Sequence, residues 1–529
     1  MRAASAAAAT PHADSNAATA AKLPRSTGAR MAIAALAGAG AILAFAPFGY
    51  WPLQIASLAL LFYQMLRATT VKGGFLIGWA YGFGWTAAGV HWLFIAMHRF
   101  GGMPSMLAAL AVALLALFLG LYAALAMGLA TWLRRRWTLA LPLMLLLVLP
   151  ATWALSEWVR GWLFTGFPWV VSGYAHNTSP LGGFAPIVGV YGVGWLAALC
   201  AGAVLLLMHP LLPLLRSRRL AIGVLMVVFG AGLALKPVSW THAEGAPISV
   251  RLLQGNVAQN QKFDGAHIAN SLQMYRDAIT AERADLIALP ETAVALFPQQ
   301  LPLDYLASLG RYAQQSDSHL LFGIPLSDDP TRFSNSALGF APGGLGQPYR
   351  YDKHHLVPFG EFVPTGFRWF VDLMTIPLGD FNRGAALQPA FQVKDQRVLP
   401  NICYEDLFGE EIAAQLAGSA APATILLNVS NLAWYGESIA IAQHLQISQM
   451  RSLETGRPML RATNSGATVV IDGGGNVVAR LAPYTRGALA AQVQGMAGMT
   501  PYIVLGNGLF LGISALALAC AWLLARRRR

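Results

Sequence analysis

Seven apolar stretches crowd the first 236 residues, at about 31–48, 51–66, 74–97, 104–132, 138–158, 185–208 and 219–236, and an eighth closes the chain at 503–525. A bilayer-crossing helix needs roughly 17–25 such residues. The second stretch is short and the fourth long, but each can satisfy its backbone polar groups inside a membrane only as a helix. Composition agrees: 56% hydrophobic residues, 11% charged and a mean hydropathy of +0.50 are too apolar for an ordinary soluble protein. The pattern predicts a multi-pass α-helical membrane domain of eight spans, with the segment from about 237 to 502 outside the bilayer.

The net charge of +12 would suggest nucleic acid as a partner in a soluble chain. Here the basic residues sit at the ends of the apolar stretches. Threaded from a cytoplasmic N-terminus, Arg67/Lys72, Arg134–Arg136, Arg216/Arg218/Arg219 and Arg526–Arg529 fall on one side, whereas the opposite short loops keep only Arg99 and Arg160. By the positive-inside rule the basic side is cytoplasmic, so the 237–502 segment is expected in the periplasm of a bacterial inner membrane. The charge reports topology, and no nucleic acid is expected.

Residues 1–30, Ala-rich with Arg2, Lys22, Arg25 and Arg30, read as a disordered tail. The run 31–48 ends in Ala-Phe-Ala and imitates a cleavable signal, but the spans that follow at once favour a retained helix. The remaining divisions are seven spans over 31–236, a linker at 237–246, an α/β domain at 247–495, and the eighth span with a basic tail at 496–529.

From Ile248 short β-branched runs alternate with amphipathic stretches. ISVRLLQGNV, ADLIALPET, HLLFGIPL, ATILLNVSN and MLRATNSGATVVID read as strands or strand pairs; AHIANSLQMYRDAITAER, LDYLASLGRYAQQ and SIAIAQHLQISQMRSLE read as helices. About 250 residues suffice for an α/β domain with its own core. The sequence carries no Gly-rich phosphate loop and no zinc-spaced His/Cys set, so neither cofactor nor metal is expected.

Three polar residues follow apolar runs: Glu291 at the end of LIALPE, Lys353 in RYDKHHLVPFGEFVP, and Cys403 after VLPNI. The other two cysteines, Cys200 and Cys520, lie in apolar stretches, leaving Cys403 as the one thiol of the polar segment. A buried structural cysteine fits that position as well as a nucleophile does. A nucleophilic thiol needs a base and a donor for the oxyanion it creates, tasks that Glu and Lys can fill.

Together these segments resemble the nitrilase, or carbon–nitrogen hydrolase, superfamily, whose αββα sandwich carries a Glu–Lys–Cys triad in this chain order. With its membrane frame, the chain from about 31 to 525 is similar to the membrane-embedded branch of that superfamily, the bacterial apolipoprotein N-acyltransferases. The motifs are FAPFGYWPL, SEWVRGWLFTGFPWVVSGY, LLQGNV, LPET, KHHLVPFGEFVP, NICYE, NVSN and LETGRPMLRATNSG. The resemblance implies Glu291 as general base, Lys353 as oxyanion stabiliser and Cys403 as nucleophile. It also implies Glu361 as a second carboxylate beside the lysine, and Tyr404 and Glu405 as supports of the nucleophile turn. Glu454 is a further supporting candidate, although a helix-end carboxylate near Arg451 and Arg457 reads equally as an ion pair. Two departures from the family pattern are Phe263, where Trp is common, and NLAWYG with Leu432 and Tyr435, where NDAWFG is usual.

The implied reaction moves an acyl chain from a phospholipid donor to the free α-amino group of a diacylglyceryl-cysteine apolipoprotein, through a Cys403 thioester, in a ping-pong cycle. A monomer is expected. The aromatic segments 367–381 and 161–171 are candidates for a membrane-facing arm and a lipid portal, with core packing the alternative for the former. A membrane-tethered amidase shares the triad and stays open as a rival. A transport protein fits poorly, because few ionisable residues lie within the spans.

Overall fold

The computed structural model describes residues 26–208, 215–329, 332–343, 346–369 and 381–527. Most of the tail and most of the 367–381 arm fall outside the described residues.

The first helix begins at Thr27, earlier than the sequence suggests, because Ser26 caps it: its side chain accepts a hydrogen bond from the Ala29 N–H. Among the described residues six helical runs are long and apolar enough to cross a membrane: Thr27–Ala44, Ser105–Trp137, Leu141–Thr165, Pro180–Met208, Arg216–Leu235 and Gly508–Arg526. The other two expected spans are also helices, Pro52–Leu66 and Val71–Val90. The former has only 15 residues, and the latter is diluted by glycines that serve packing. A Cβ at Gly78 would lie 2.5 Å from the Ala123 carbonyl oxygen, and one at Gly84 would lie 2.0 Å from that of Ala35. Small residues let the Val71–Val90 helix touch neighbours on both sides, the usual means of helix association where no hydrophobic drive acts between helices.

The segment after 237 folds as two six-stranded sheets. The first has the order β13(Gly487–Val493), β2(Ile248–Gln254), β3(Leu286–Ala288), β4(His319–Asp329), β5(Arg332–Phe340), β6(Tyr349–Asp352). The second runs β12(Val477–Arg480), β11(Val469–Ile471), β10(Met459–Thr463), β9(Ile425–Ser430), β8(Gln396–Ile402), β7(Phe391–Val393). Their inner faces form one core, with Val250, Leu252, Leu286 and Leu321 meeting Val398, Ile425, Leu427 and Leu460. Each such fully buried side chain contributes about 1.5–3 kcal/mol.

Helices Gly265–Thr280 and Tyr305–Ser316 cover the outside of the first sheet through Leu272, Ile279 and Leu309. Helices Gly409–Gly418 and Ala440–Thr455 cover the second through Ile412, Leu416 and Leu445. The result is the expected αββα sandwich. The domain reaches slightly beyond 247–495: β1(His242–Ala243) pairs antiparallel with β14(Met496–Ala497), drawing the two chain ends of the sandwich together.

Strand direction decides where chemistry can gather. Within the first sheet β2, β3 and β4 are parallel, and within the second β8, β9 and β10 are parallel. Open α/β sheets present their functional loops at the carboxyl ends of parallel strands. Glu291 follows β3, Cys403 follows β8 and Asn431 follows β9, while Lys353 follows β6.

Candidate active site

Cys403 ends β8 and opens the short 3-10 turn Cys403–Leu407. Its φ is +53°, a left-handed conformation that costs a residue with a side chain about 1–3 kcal/mol. Two donors hold it there: Asn428 Nδ2 and His444 Nε2 each lie 3.2 Å from the Cys403 carbonyl oxygen. Asn428 comes from β9, the parallel neighbour of β8, so sheet register brings this donor beside the strand end.

Lys353 is 1% exposed, and its Nζ lies 2.8 Å from Glu361 Oε1 and 3.5 Å from Glu291 Oε1. Burial works against its charge, but Glu361, Glu291 and Cys403 outweigh that and hold the ammonium well above its ordinary pKa. Asn335 in β5 joins the two acids, its Nδ2 donating at 2.8 Å to both Glu291 Oε1 and Glu361 Oε1. The remaining oxygens are also satisfied: Glu291 Oε2 accepts from the Asn431 N–H at 2.9 Å, and Glu361 Oε2 from the Val357 N–H at 2.8 Å.

The thiol belongs to the same electrostatic unit. Burial and the negative charges of Glu291 and Glu361 push the Cys403 pKa up, against Lys353 and the Asn431 N–H, which pull it down. The resting sulfur is therefore a thiol that carries its proton beside a carboxylate.

The other predicted residues divide. Glu405 binds the nucleophile turn to the lysine loop: Oε2 accepts from the Ile402 N–H at 2.6 Å and Tyr351 Oη at 3.0 Å, while Oε1 accepts from the His354 N–H at 2.7 Å. Tyr404 reaches the membrane domain, its hydroxyl donating to the Gly166 carbonyl at 3.0 Å. Glu454 is not brought to this cluster. It is fully buried at the end of helix Ala440–Thr455, paired with Arg451 Nη2 at 3.0 Å and accepting from the Val190 N–H at 2.8 Å. The ion-pair alternative therefore describes it, with Arg451 as partner; Arg457 turns instead to the carbonyls of Ala423 and Gly498.

Of the departures from the family pattern, Phe263 is 52% exposed, Leu432 is buried, and Tyr435 packs edge-on against Trp92 with ring centroids 4.4 Å apart. The segment 161–171 lies against the sandwich: His355 Nε2 is 2.9 Å from the Thr165 carbonyl, and Trp169 Nε1 donates to Gln443 Oε1 at 2.8 Å.

Sequence reasoning missed Asn335, Asn431 and Lys262. Lys262 is buried, donates to the Glu291 carbonyl at 2.9 Å, and is held down to about 8 by burial, which Glu291 and Cys403 only partly offset. Its position in LLQGNVAQNQKF, just past β2, was the available signal, since β2 is a parallel neighbour of β3.

The comparisons with known proteins cover nearly the whole chain. Residues 37–203 match the apolipoprotein N-acyltransferase N-terminal domain family, and residues 249–502 match the carbon–nitrogen hydrolase family. An apolipoprotein N-acyltransferase of Ralstonia nicotianae is 49% identical over 503 residues, covering 94% of this chain and 93% of that one. One from Bordetella bronchiseptica is 42% identical over 532 residues, covering 94% and 97%. Among solved structures, a Nesterenkonia amidase of the nitrilase superfamily is 16% identical with a TM-score of 0.37, over 49% of this chain and 94% of that one. With two such relatives aligned across membrane helices and sandwich alike, the chain belongs to the apolipoprotein N-acyltransferase family, as an acyltransferase with a nitrilase-like domain on apolar membrane helices.

Proposed function

We propose that this protein acylates the free α-amino group of diacylglyceryl-cysteine apolipoproteins in two half-reactions, with a membrane phospholipid as donor and a Cys403 thioester between them. The carrying observation is the buried Glu291–Lys353–Glu361 cluster beside Cys403, in which one cation faces two carboxylates.

Because the thiol is held protonated, proton removal must accompany attack. Glu291 takes the Sγ proton as sulfur bonds to the phospholipid ester carbonyl carbon. The carbonyl oxygen becomes an oxyanion, stabilised by the Lys353 ammonium and a backbone N–H at the nucleophile turn. Glu361 and Asn335 keep the ammonium aimed and charged. Collapse breaks the carbon–oxygen ester bond, and the departing lysophospholipid alkoxide takes the proton from Glu291. The neutral acceptor amine then attacks the thioester, its proton passes to Glu291, and the thiolate leaves and is reprotonated.

Both substrates are lipid-anchored, which accounts for a soluble-type sandwich mounted on membrane helices. Tyr404 and His355 at the nucleophile and lysine loops each bond the 163–171 loop, so the site opens next to the bilayer surface. We also propose that this surface is the periplasmic face of a bacterial inner membrane. The basic residues Arg30, Arg67 and Arg134 gather at the opposite end of the helices, where Arg30 donates to the Arg67 carbonyl and Arg134 to that of Leu66. One chain supplies every group named, in keeping with a monomer.

Incubation with phospholipid alone, followed by intact-mass analysis, should reveal one acyl adduct that maps to Cys403 and is lost in hydroxylamine. An adduct on another residue, or none while transfer proceeds, would remove the thioester.

A further inference from the structure

We infer that His444 is a positioning residue for acyl transfer, whose imidazole carries its proton on Nε2 and clamps the Cys403 carbonyl so that the nucleophile keeps its left-handed conformation. The inference rests on Cys403 being the nucleophile.

The tautomer follows from the partners. Arg461 Nη2 lies 2.8 Å from His444 Nδ1, and a guanidinium can only donate, so Nδ1 accepts. The ring proton is then on Nε2, which faces the Cys403 carbonyl at 3.2 Å. Arg461 is fixed in turn by Asp406 Oδ2 at 2.8 Å, and Asp406 belongs to the same 3-10 turn as Cys403. The bonds thus form a closed circuit from the nucleophile turn through Asp406, Arg461 and His444 back to the nucleophile. Ser448 braces it from the same helix as His444, donating to Asp406 Oδ2.

All the members are buried, His444 at 1% and Arg461 and Asp406 at 0% exposure. Burial, with the Arg461 charge beside it, keeps the imidazole far below its ordinary basicity, so the ring does not take a second proton. That suits a fixed donor rather than a proton carrier.

The circuit also touches the membrane domain. Trp169 stacks on the His444 ring at 5.7 Å with planes 7° apart, and the adjacent Gln443 Oε1 accepts from the indoles of Trp169 and Trp92. Two roles for the ring are therefore separable, donation to Cys403 and stacking on Trp169. The clamp assigns the chemistry to donation.

Glutamine separates them, because its amide places a donor and an acceptor across one carbon as the imidazole does, without a ring to stack. Phenylalanine keeps the ring and loses both polar atoms. Single-turnover acylation of Cys403 by phosphatidylethanolamine in mixed micelles, read by intact mass, should run within about threefold of wild type in His444→Gln and be slowed about tenfold or more in His444→Phe. The phospholipid concentration giving half the maximal rate should be unchanged in both. Should His444→Phe not fold, His444→Met takes its place as the donorless variant. A donorless variant as fast as wild type would overturn the clamp. So would His444→Gln as slow as His444→Phe, since returning a donor to this position would then restore nothing. Absence of the Cys403 adduct in wild type would instead sink the thioester reading on which the clamp depends.

Discussion

Two buried ion clusters in this protein look alike in composition and differ in everything that matters for chemistry. Lys353 faces Glu361 and Glu291, and Arg451 faces Glu454; both cations are at most 1% exposed. The first gathers at strand ends, with Lys353 within 3.5 Å of two acids and the buried Lys262 also acting on Glu291, and it bears on a thiol held at positive φ. In the second, Arg451 bonds Glu454 while the charge of Glu410 acts on both, and the Glu454 carboxylate also takes the N–H of Val190, in an apolar helix of the membrane domain. It fastens the sandwich to its membrane support. Burial and charge alone therefore do not single out a candidate active site; a reactive atom beside the charges does.

Substitutions can break that contrast. The largest effect is expected from Cys403→Ala, which should abolish the acyl adduct in an intact-mass assay while the protein still folds. Lys353→Ala should follow, since loss of one oxyanion donor costs about 2.7–4 kcal/mol in the acylation barrier, measurable by single-turnover kinetics. Glu454→Ala should behave oppositely. Stranding Arg451 in the interior should cost about 3–5 kcal/mol of stability, seen as a lower thermal midpoint in detergent, with an acylation rate per folded molecule far closer to wild type than that of Lys353→Ala. Equal loss of rate in Glu454→Ala and Lys353→Ala, with folding intact, would erase the distinction.

A smaller effect sharpens the electrostatics. A thiol whose pKa is raised stays protonated where an ordinary cysteine, at about 8.5, has begun to ionise. Alkylation of Cys403 by iodoacetamide, followed by peptide mapping between pH 7 and 9, should be slower than for an exposed cysteine. It should slow further in Lys353→Met, which removes the lysine charge that pulls the thiol down. Rapid alkylation of wild type with a midpoint below pH 8 would mean a preformed thiolate and no need for concerted proton removal.

Much of the site was legible because strand ends are legible. VLPNI before Cys403 and LIALP before Glu291 are apolar runs that stop at a polar residue; β8 ends directly before Cys403 and β3 three residues before Glu291. Asn335 was not, because FSNSALGF offers a polar residue among serines in a strand, and only the pairing of β5 with β4 and β6 turns its amide toward both acids. His444 read as one more residue on an amphipathic helix. Its partner Arg461 lies on β10, and sequence periodicity says nothing about which strand a helix face will meet. Glu454 drew attention as a helix-end carboxylate near two arginines; the fold gives it only one of them and removes it from the site. Among the helices, Val71–Val90 owes its close packing to glycines, at Gly78 and Gly84 above all, that dilute its apolar character.

Acyl transfer and simple hydrolysis begin with the same attack and differ in what resolves the thioester, so the fate of that intermediate tests the central claim most directly. With phospholipid alone, the enzyme should release about one equivalent of lysophospholipid and stall, because a transferase keeps water from the intermediate. A peptide beginning with diacylglyceryl-cysteine should then discharge the acyl group onto its α-amine, and the N-acetylated peptide should leave Cys403 labelled. Steady release of free fatty acid without acceptor, at a rate comparable to amine transfer, would contradict the account and make water the natural acceptor.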